Sequence, residues 1–330
     1  MTFMKKLLAP VAFAVLGASA AQAEELKLAD FLPATHPFQE KVWAVFANDV
    51  AERTNGEVTI RVYPGGELGP GPVEQYNRVV DGLAELAYAL PGYTASNFPK
   101  LLLTELPGVI TEETGTKAVL DNIDMLDEEF RRAQLIGYWS NGANLLFTAE
   151  KPVRSLEDIK GLKLRVPSRN AGLMVESWGA TPVSMPVSEI YNSMQTGVID
   201  GAMIDGTATF VFKLAEVTKY ITTGMDSSIS SFFLIMNKDA FADLTEEQQQ
   251  AMLDAGRDLS FLANAQQLSD VEKGLEMFGN TEGKELIELS PEAVAEFNAA
   301  SAPVLDAAIA DAESQGIDAR GFIDALAASK

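Results

Sequence analysis

The chain reads as a mainly parallel α/β protein in two lobes, and three observations predict this. The first is spacing: short apolar runs that alternate like strands are separated by segments with helical periodicity, and the series occurs twice. The second is length, because 330 residues exceed the roughly 250–300 beyond which a single core stops growing. The third is an internal echo. Residues 73–92, VEQYNRVVDGLAELAYALPG, and residues 188–206, SEIYNSMQTGVIDGAMIDG, each read as a helix, a glycine stop and a short apolar strand.

In chain order, residues 26–31 alternate weakly and form a first strand. His36-Pro37-Phe38 opens a helix in which Trp43, Phe46, Val50 and Ala51 share one face. After Gly56, 58–62 is a second strand, 72–81 is helical up to Gly82, and 84–89 is a third strand. Right-handed crossovers between parallel strands put helices on both faces of the sheet. The series restarts after Lys151-Pro152. Ser155 caps a short helix with Glu157 in its first turn, and then come strand 162–166, helix 171–178, strand 181–185, helix 187–196 and strand 199–204. The last quarter is helical: 244–277 is one long periodic stretch, and 291–312 and 319–327 are amphipathic. This predicts a first lobe of 24–145 with part of 235–275, and a second of 146–234 with helices from 276–330.

In the register of the echo, Glu74, Tyr76, Asn77, Gly82 and Glu85 meet Glu189, Tyr191, Asn192, Gly197 and Asp200. Helix–glycine–strand also arises by chance. If the echo is real, two similar lobes end their strands at one crevice. Ligands of open α/β sheets bind beyond the carboxyl ends of strands, so 90–93 and 203–207 are expected on opposite walls of one cleft.

Residues 1–23 read as an export signal: basic Lys5 and Lys6, an apolar run over 7–18, and Ala21-Gln22-Ala23 as a small-x-small cleavage site. Pro10 and Gly17 interrupt the run, which is too short for a membrane span. The processed chain would begin at Glu24. Cysteine is absent, so neither disulfides nor thiolate metal sites contribute, which suits a bacterial periplasm. The formal net charge is −22, from 25 basic and 47 acidic residues, and it becomes more negative without Lys5 and Lys6. Such a surface repels phosphate backbones and argues against nucleic acid as a partner. An anionic ligand would need a local positive site inside a negative molecule.

Catalytic patterns are thin. With one histidine and no cysteine, neither a His-rich metal site nor a Cys–His pair can be built, and no cofactor is expected. His36, beside Pro37, reads as a structural residue at a helix start. There is no GxSxG elbow, Walker loop or dinucleotide fingerprint. Gly65-Gly66-Glu67-Leu68-Gly69 lacks the Lys-Ser/Thr ending of a phosphate loop.

The candidate binding residues fall at strand ends. Arg165 closes strand 162–166 just before Pro167 and offers a rigid five-donor fork for a carboxylate. It could instead snorkel at the strand end or pair with one of the chain's own acids. Met203 and Asp205 lie where strand 199–204 meets the predicted cleft. Asp205 would disfavour a second anionic group and favour hydroxyls or an ammonium; as an Asp-Gly pair it also suits a plain turn. Phe31, Tyr93, Trp139 and Phe232 could line an apolar pocket or belong to the core. Ser168 and Arg169 could donate beside Arg165 or lie in a surface loop.

The stretch 153–167, VRSLEDIKGLKLRVP, followed at 179–201 by GATPVSMPVSEIYNSMQTGVIDG, resembles the substrate-binding proteins of TRAP transporters, the family that includes C4-dicarboxylate binders. The resemblance implies a periplasmic-binding-protein fold with a hinge and a long C-terminal helix bracing both lobes. It implies that Arg165 grips the carboxylate of a small organic acid. Asn144, in strand 142–147, stands where many members carry a second arginine. One cationic grip suits a monocarboxylate with hydroxyl, keto or apolar substituents better than a dicarboxylate. The expected protein is a monomeric periplasmic binder that serves TRAP membrane subunits and is no enzyme. The alternatives are a periplasmic α/β hydrolase or isomerase, and a ligand-sensing subunit of a signalling receptor.

Overall fold

Eleven strands carry the described architecture, which in this computed structural model covers residues 24–329. The export-signal expectation lies outside them. The strands are β1 (Glu24–Ala29), β2 (Val58–Tyr63), β3 (Leu86–Ala89), β4 (Ala133–Ala143), β5 (Leu145–Thr148), β6 (Lys163–Val166), β7 (Thr181–Ser184), β8 (Gly201–Ile204), β9 (Tyr220–Thr223), β10 (Ile229–Asn237) and β11 (Glu285–Glu288). They form two sheets, one in the order β2-β1-β3-β10-β4 and one in the order β11-β9-β5-β8-β6-β7. The crossovers expected from spacing are present: β1 pairs in parallel with β2 and β3, and β6 with β7 and β8. Helices Gln75–Val80 and Ile190–Gln195 precede β3 and β8, so the echoed segments occupy equivalent places.

The sheets are mixed, with β10 antiparallel to β3 and β4, and β5 antiparallel to β8 and β9. The cause is the route of the chain between lobes. It leaves the first sheet through β4 into β5 and returns from β9 into β10, so the outward and returning strands run in opposite senses. Residues 229–234, expected in the second lobe, therefore lie in the first sheet.

Helix Glu246–Gly279 is the predicted brace, capped by Thr245 with Gln248 in a reciprocal capping box. Its 34 residues span about 50 Å at 1.5 Å per residue. Met252, Ala255, Leu259 and Ala263 pack into the first lobe's core with Trp43 and Phe46. Phe278 packs with Phe147 and Ile221 in the second. Helix Pro291–Ser314 spans both lobes too. Ala293 and Phe297 join Trp178 in the second lobe, whereas Val304, Ala308 and Ile309 join Phe322 and Leu326 of helix Ala319–Ala328 against the first. The C-terminal segment thus returns to the first lobe rather than staying on the second. Apolar periodicity marks a buried face but not which core receives it. Among the described residues no helix is long and apolar enough to cross a membrane.

The brace touches each lobe through a glycine. A Cβ on Gly256 would lie 2.0 Å from the Ile136 carbonyl oxygen, and one on Gly274 2.3 Å from that of Gly206. In a free helix, Gly→Ala stabilises by up to about 1 kcal/mol. Here the clash is with backbone, so Gly256→Ala is expected to destabilise by about 1–3 kcal/mol. Urea unfolding checks the sign, and a more stable variant would contradict this packing.

Candidate functional site

The ends of β3 and β8 face each other across the lobe boundary, as the echo predicted. Leu90 and Tyr93 after β3, Ile204 at the end of β8 with Asp205 and Thr207 beyond it, and Arg165 and Pro167 at the end of β6 line one cavity.

Arg165 is 2% exposed and donates through Nε to the Met185 carbonyl (3.0 Å), through Nη1 to the Met203 carbonyl (3.3 Å) and through Nη2 to the Tyr93 hydroxyl (3.2 Å). A guanidinium has five N–H groups, so two remain. None of its partners is a carboxylate, and burial lowers its pKa from the ordinary value, with Tyr93 and Asp205 acting weakly the other way. Neither a snorkelling nor an internally paired arginine fits this geometry. The Tyr93 hydroxyl also accepts from the Val187 backbone N–H at 3.1 Å. It thus accepts twice across the lobe boundary, and its O–H is left to donate to a third group.

The first lobe supplies aromatic walls. Tyr88 is sandwiched between Phe31 (4.8 Å) and Trp139 (5.4 Å) and also contacts Phe232 (5.3 Å between centroids). Phe31, Tyr88 and Phe232 line the cavity together with Phe212 from the second lobe. The segment bearing Phe31 and His36 is fixed by Asp30, whose buried carboxylate accepts from Leu32 N (2.8 Å), Gln39 Nε2 (2.7 Å) and Trp43 Nε1 (2.9 Å).

Asp205 is both turn residue and cavity wall. It accepts from Thr207 N (2.9 Å), Thr207 Oγ1 (2.5 Å) and Asn141 Nδ2 (2.8 Å), the last across the lobe boundary. Asn144 is the residue between β4 and β5 and pins the two crossing strands together. Its backbone N–H donates to the Ser228 carbonyl (2.9 Å), its carbonyl accepts from Ser227 Oγ (2.5 Å), and its amide donates to Ser228 Oγ (3.0 Å) and Ser230 Oγ (3.2 Å).

The structure thus brings Arg165, Asn144, Asp205, Tyr93, Phe31 and Phe232 into one cavity. Four other expected residues stand outside it. The Met203 side chain is buried in the second lobe's core and only its carbonyl serves the site. Trp139 lies in a second layer behind Tyr88. Ser168 caps helix Arg169–Ser177 by accepting from Ala171 N. Arg169 points outward to Asp311 at 3.4 Å. Conversely, His36, Tyr88, Asn141 and Gln267 line the cavity though local pattern did not select them. Only Tyr88 had a usable signal, one residue before the end of a strand whose following residues were already placed at the cleft.

Two α/β lobes that meet around a buried arginine with no carboxylate partner among the described residues have the architecture of a solute-binding protein. The chain belongs to the family described as bacterial extracellular solute-binding protein, family 7, which it matches over residues 28–311. It is 26% identical over 220 residues to the 2,3-diketo-L-gulonate-binding periplasmic protein YiaO of Escherichia coli, covering 64% of this chain and 66% of that one. It is 25% identical over 269 residues to the C4-dicarboxylate-binding periplasmic protein DctP of Rhodobacter capsulatus, covering 78% and 79%. Among solved structures it is similar to a marine metagenome TRAP solute-binding protein specific for aromatic acid ligands, in complex with metahydroxyphenylacetate (26% identity, TM-score 0.86, 93% of this chain and 98% of that one). It is also similar to a TRAP solute-binding protein from Rhodoferax ferrireducens with copurified benzoate (25% identity, TM-score 0.84, 92% and 97%). The TRAP resemblance carried by residues 153–201 extends over the chain.

Beside the cavity, at the contact between lobes, sits Glu105. Burial pushes its carboxyl up to about 7, against the opposing pull of the Ser168 hydroxyl and the Ser231 backbone, and its Oε2 has no hydrogen-bond partner. The folded protein therefore holds a proton that an unfolded glutamate, titrating near 4.5, releases at lower pH. The resulting stabilisation is complete below about pH 4.5 and lost as pH rises through about 7, amounting to about 3 kcal/mol. Asp30 and Glu129, also raised to about 7 by burial, share the sign. Glu105→Gln, neutral at every pH, should flatten the fall in melting temperature between pH 5 and 8. Parallel wild-type and variant profiles would contradict the assignment.

Proposed function

We propose that this protein captures a small aromatic monocarboxylate in the periplasm by closing its lobes around it, and presents it unchanged to the membrane subunits of a TRAP transporter. The observation that carries the reading is Arg165: a buried guanidinium with two N–H groups and no carboxylate partner left to it among the described residues. Such a charge is costly unless an anion pairs with it. The aromatic lining of Phe31, Tyr88, Phe212 and Phe232 suits a ring on the carbon skeleton. Relatives of the same family whose structures hold benzoate or metahydroxyphenylacetate support that shape. The export pattern at residues 1–23 and the periplasmic relatives support the location. The working unit is taken to be a monomer, because the cavity is complete within one chain.

A C4-dicarboxylate fits this cavity poorly. Asn144 offers no charge, Arg169 faces away, and Asp205 presents a carboxylate. Two like charges about 4 Å apart at an effective dielectric of about 20 repel by about 4 kcal/mol.

Benzoate should raise the melting temperature and be recovered unchanged by mass spectrometry, while succinate and malate at equal concentration should not shift it. Conversion of the ligand would favour the enzyme alternative. Arg165→Ala should weaken benzoate binding by about 2–5 kcal/mol in calorimetric titration. Arg165→Lys should also weaken it, because the ammonium keeps the charge but loses the planar fork. An alanine variant within threefold of wild type would remove Arg165 as the anchor.

A further inference from the structure

Two donors on the first-lobe side of the cavity have no partner among the described residues, and neither is needed to hold a carboxylate at Arg165. His36 is 6% exposed, and its Nδ1 accepts the Phe38 backbone N–H at 3.0 Å. Burial lowers its pKa to about 4, so the ring is neutral at neutral pH. With Nδ1 used as an acceptor, the proton sits on Nε2. Edge-on packing against Phe38, 5.0 Å between centroids, fixes the ring. Among the described residues nothing accepts from Nε2. Tyr88 is 2% exposed, held on both ring faces by Phe31 and Trp139, and its hydroxyl makes no hydrogen bond to a described residue. Desolvation, with the charges of Asp30 and Asp205 nearby, raises its pKa well above the ordinary value, so it keeps its proton. Both residues line the cavity.

Unpaired polar groups in a protein interior are costly and are normally satisfied by a ligand or water. Two donors call for an acceptor oxygen. On the same cavity, Asp205 Oδ2 accepts a single protein hydrogen bond, from Asn141, and a carboxylate oxygen can take more. A keto oxygen would satisfy His36 or Tyr88 and leave Asp205 unused. A second carboxylate would face Asp205 with like charge. An ammonium could donate to Asp205 but accept from neither donor. A hydroxyl does both.

We propose, resting on the carboxylate reading above, that the ligand is a hydroxylated aromatic monocarboxylate whose hydroxyl accepts from His36 or Tyr88 and donates to Asp205. These three residues then set specificity, while Arg165 supplies the grip common to all carboxylates. A site built to hydrogen-bond a hydroxyl discriminates strongly against the analogue that lacks it.

The test titrates the full-length processed protein with benzoate and with 2-, 3- and 4-hydroxybenzoate. At least one hydroxy isomer is expected to bind fivefold or more tighter than benzoate, and a smaller preference for every isomer overturns the proposal. The preferred isomer is then measured with His36→Phe and Tyr88→Phe, which keep a ring and remove the polar atom. The preference, taken as the ratio of the isomer's affinity to that of benzoate, is expected to fall below twofold in at least one variant, with a far-ultraviolet circular dichroism spectrum matching wild type as the control for folding. A preference above twofold in both variants overturns the assignment of these residues. Binding of benzoate and all isomers with equal affinity, lost in Arg165→Ala, would leave the carboxylate reading standing and remove only the hydroxyl subsite. Failure of wild type to bind any of the four would overturn both.

Discussion

A single buried positive charge organises this protein. Arg165 is held in the interior of a chain with a formal net charge of −22, where a guanidinium has lost its water and has not been given a carboxylate in return. What keeps it there is backbone: the Met185 and Met203 carbonyls lie just beyond β7 and near the end of β8, the strands flanking β6 on either side. Two of its donors are thereby spent on backbone and a third on the Tyr93 hydroxyl, which leaves two for something that enters from outside. The acidic surface repels anions in general, so selectivity for one of them must be concentrated at this point.

The site belongs to neither lobe. The second lobe contributes the cation and Asp205, and the first contributes the aromatic walls, His36 and Tyr93. Tyr93 accepts from Arg165 and Val187, and Asn141 donates to Asp205, so the polar parts of the cavity are aligned only when the lobes meet. On the proposed reading, a ligand that pairs with Arg165 while lying on the aromatic wall would stabilise the closed arrangement over any open one.

Closure needs two rigid bodies and a defined connection. Each lobe has its own core, and the crossing strands are stitched at Asn144 to the 227–230 segment. The position where many relatives were expected to carry a charge is here part of the hinge. Helices Glu246–Gly279 and Pro291–Ser314 lie across both bodies and restrict the path that opening can take.

Local pattern was enough for most of the elements, because strand alternation, helix periodicity and glycine stops act over a few residues. The predicted strands 58–62, 162–166 and 181–185 and the long helix lie within a residue or two of their observed positions. The same locality explains why Arg165 and the two cleft walls were legible: the carboxyl end of a parallel strand is a binding position by construction. What the sequence alone could not decide was partnership across distance. Whether β10 joins the first sheet, which core receives residues 304–326, and whether Trp139 lies in the cavity or one layer behind it depend on groups brought together from more than 50 residues away. His36 reads as a helix-start histidine until the lobes close. Its bond from the Phe38 N–H is local, but only the tertiary structure puts an aromatic cavity around the other nitrogen and a carboxylate on the opposite wall, because burial is a property of the packed chain and not of any segment of it.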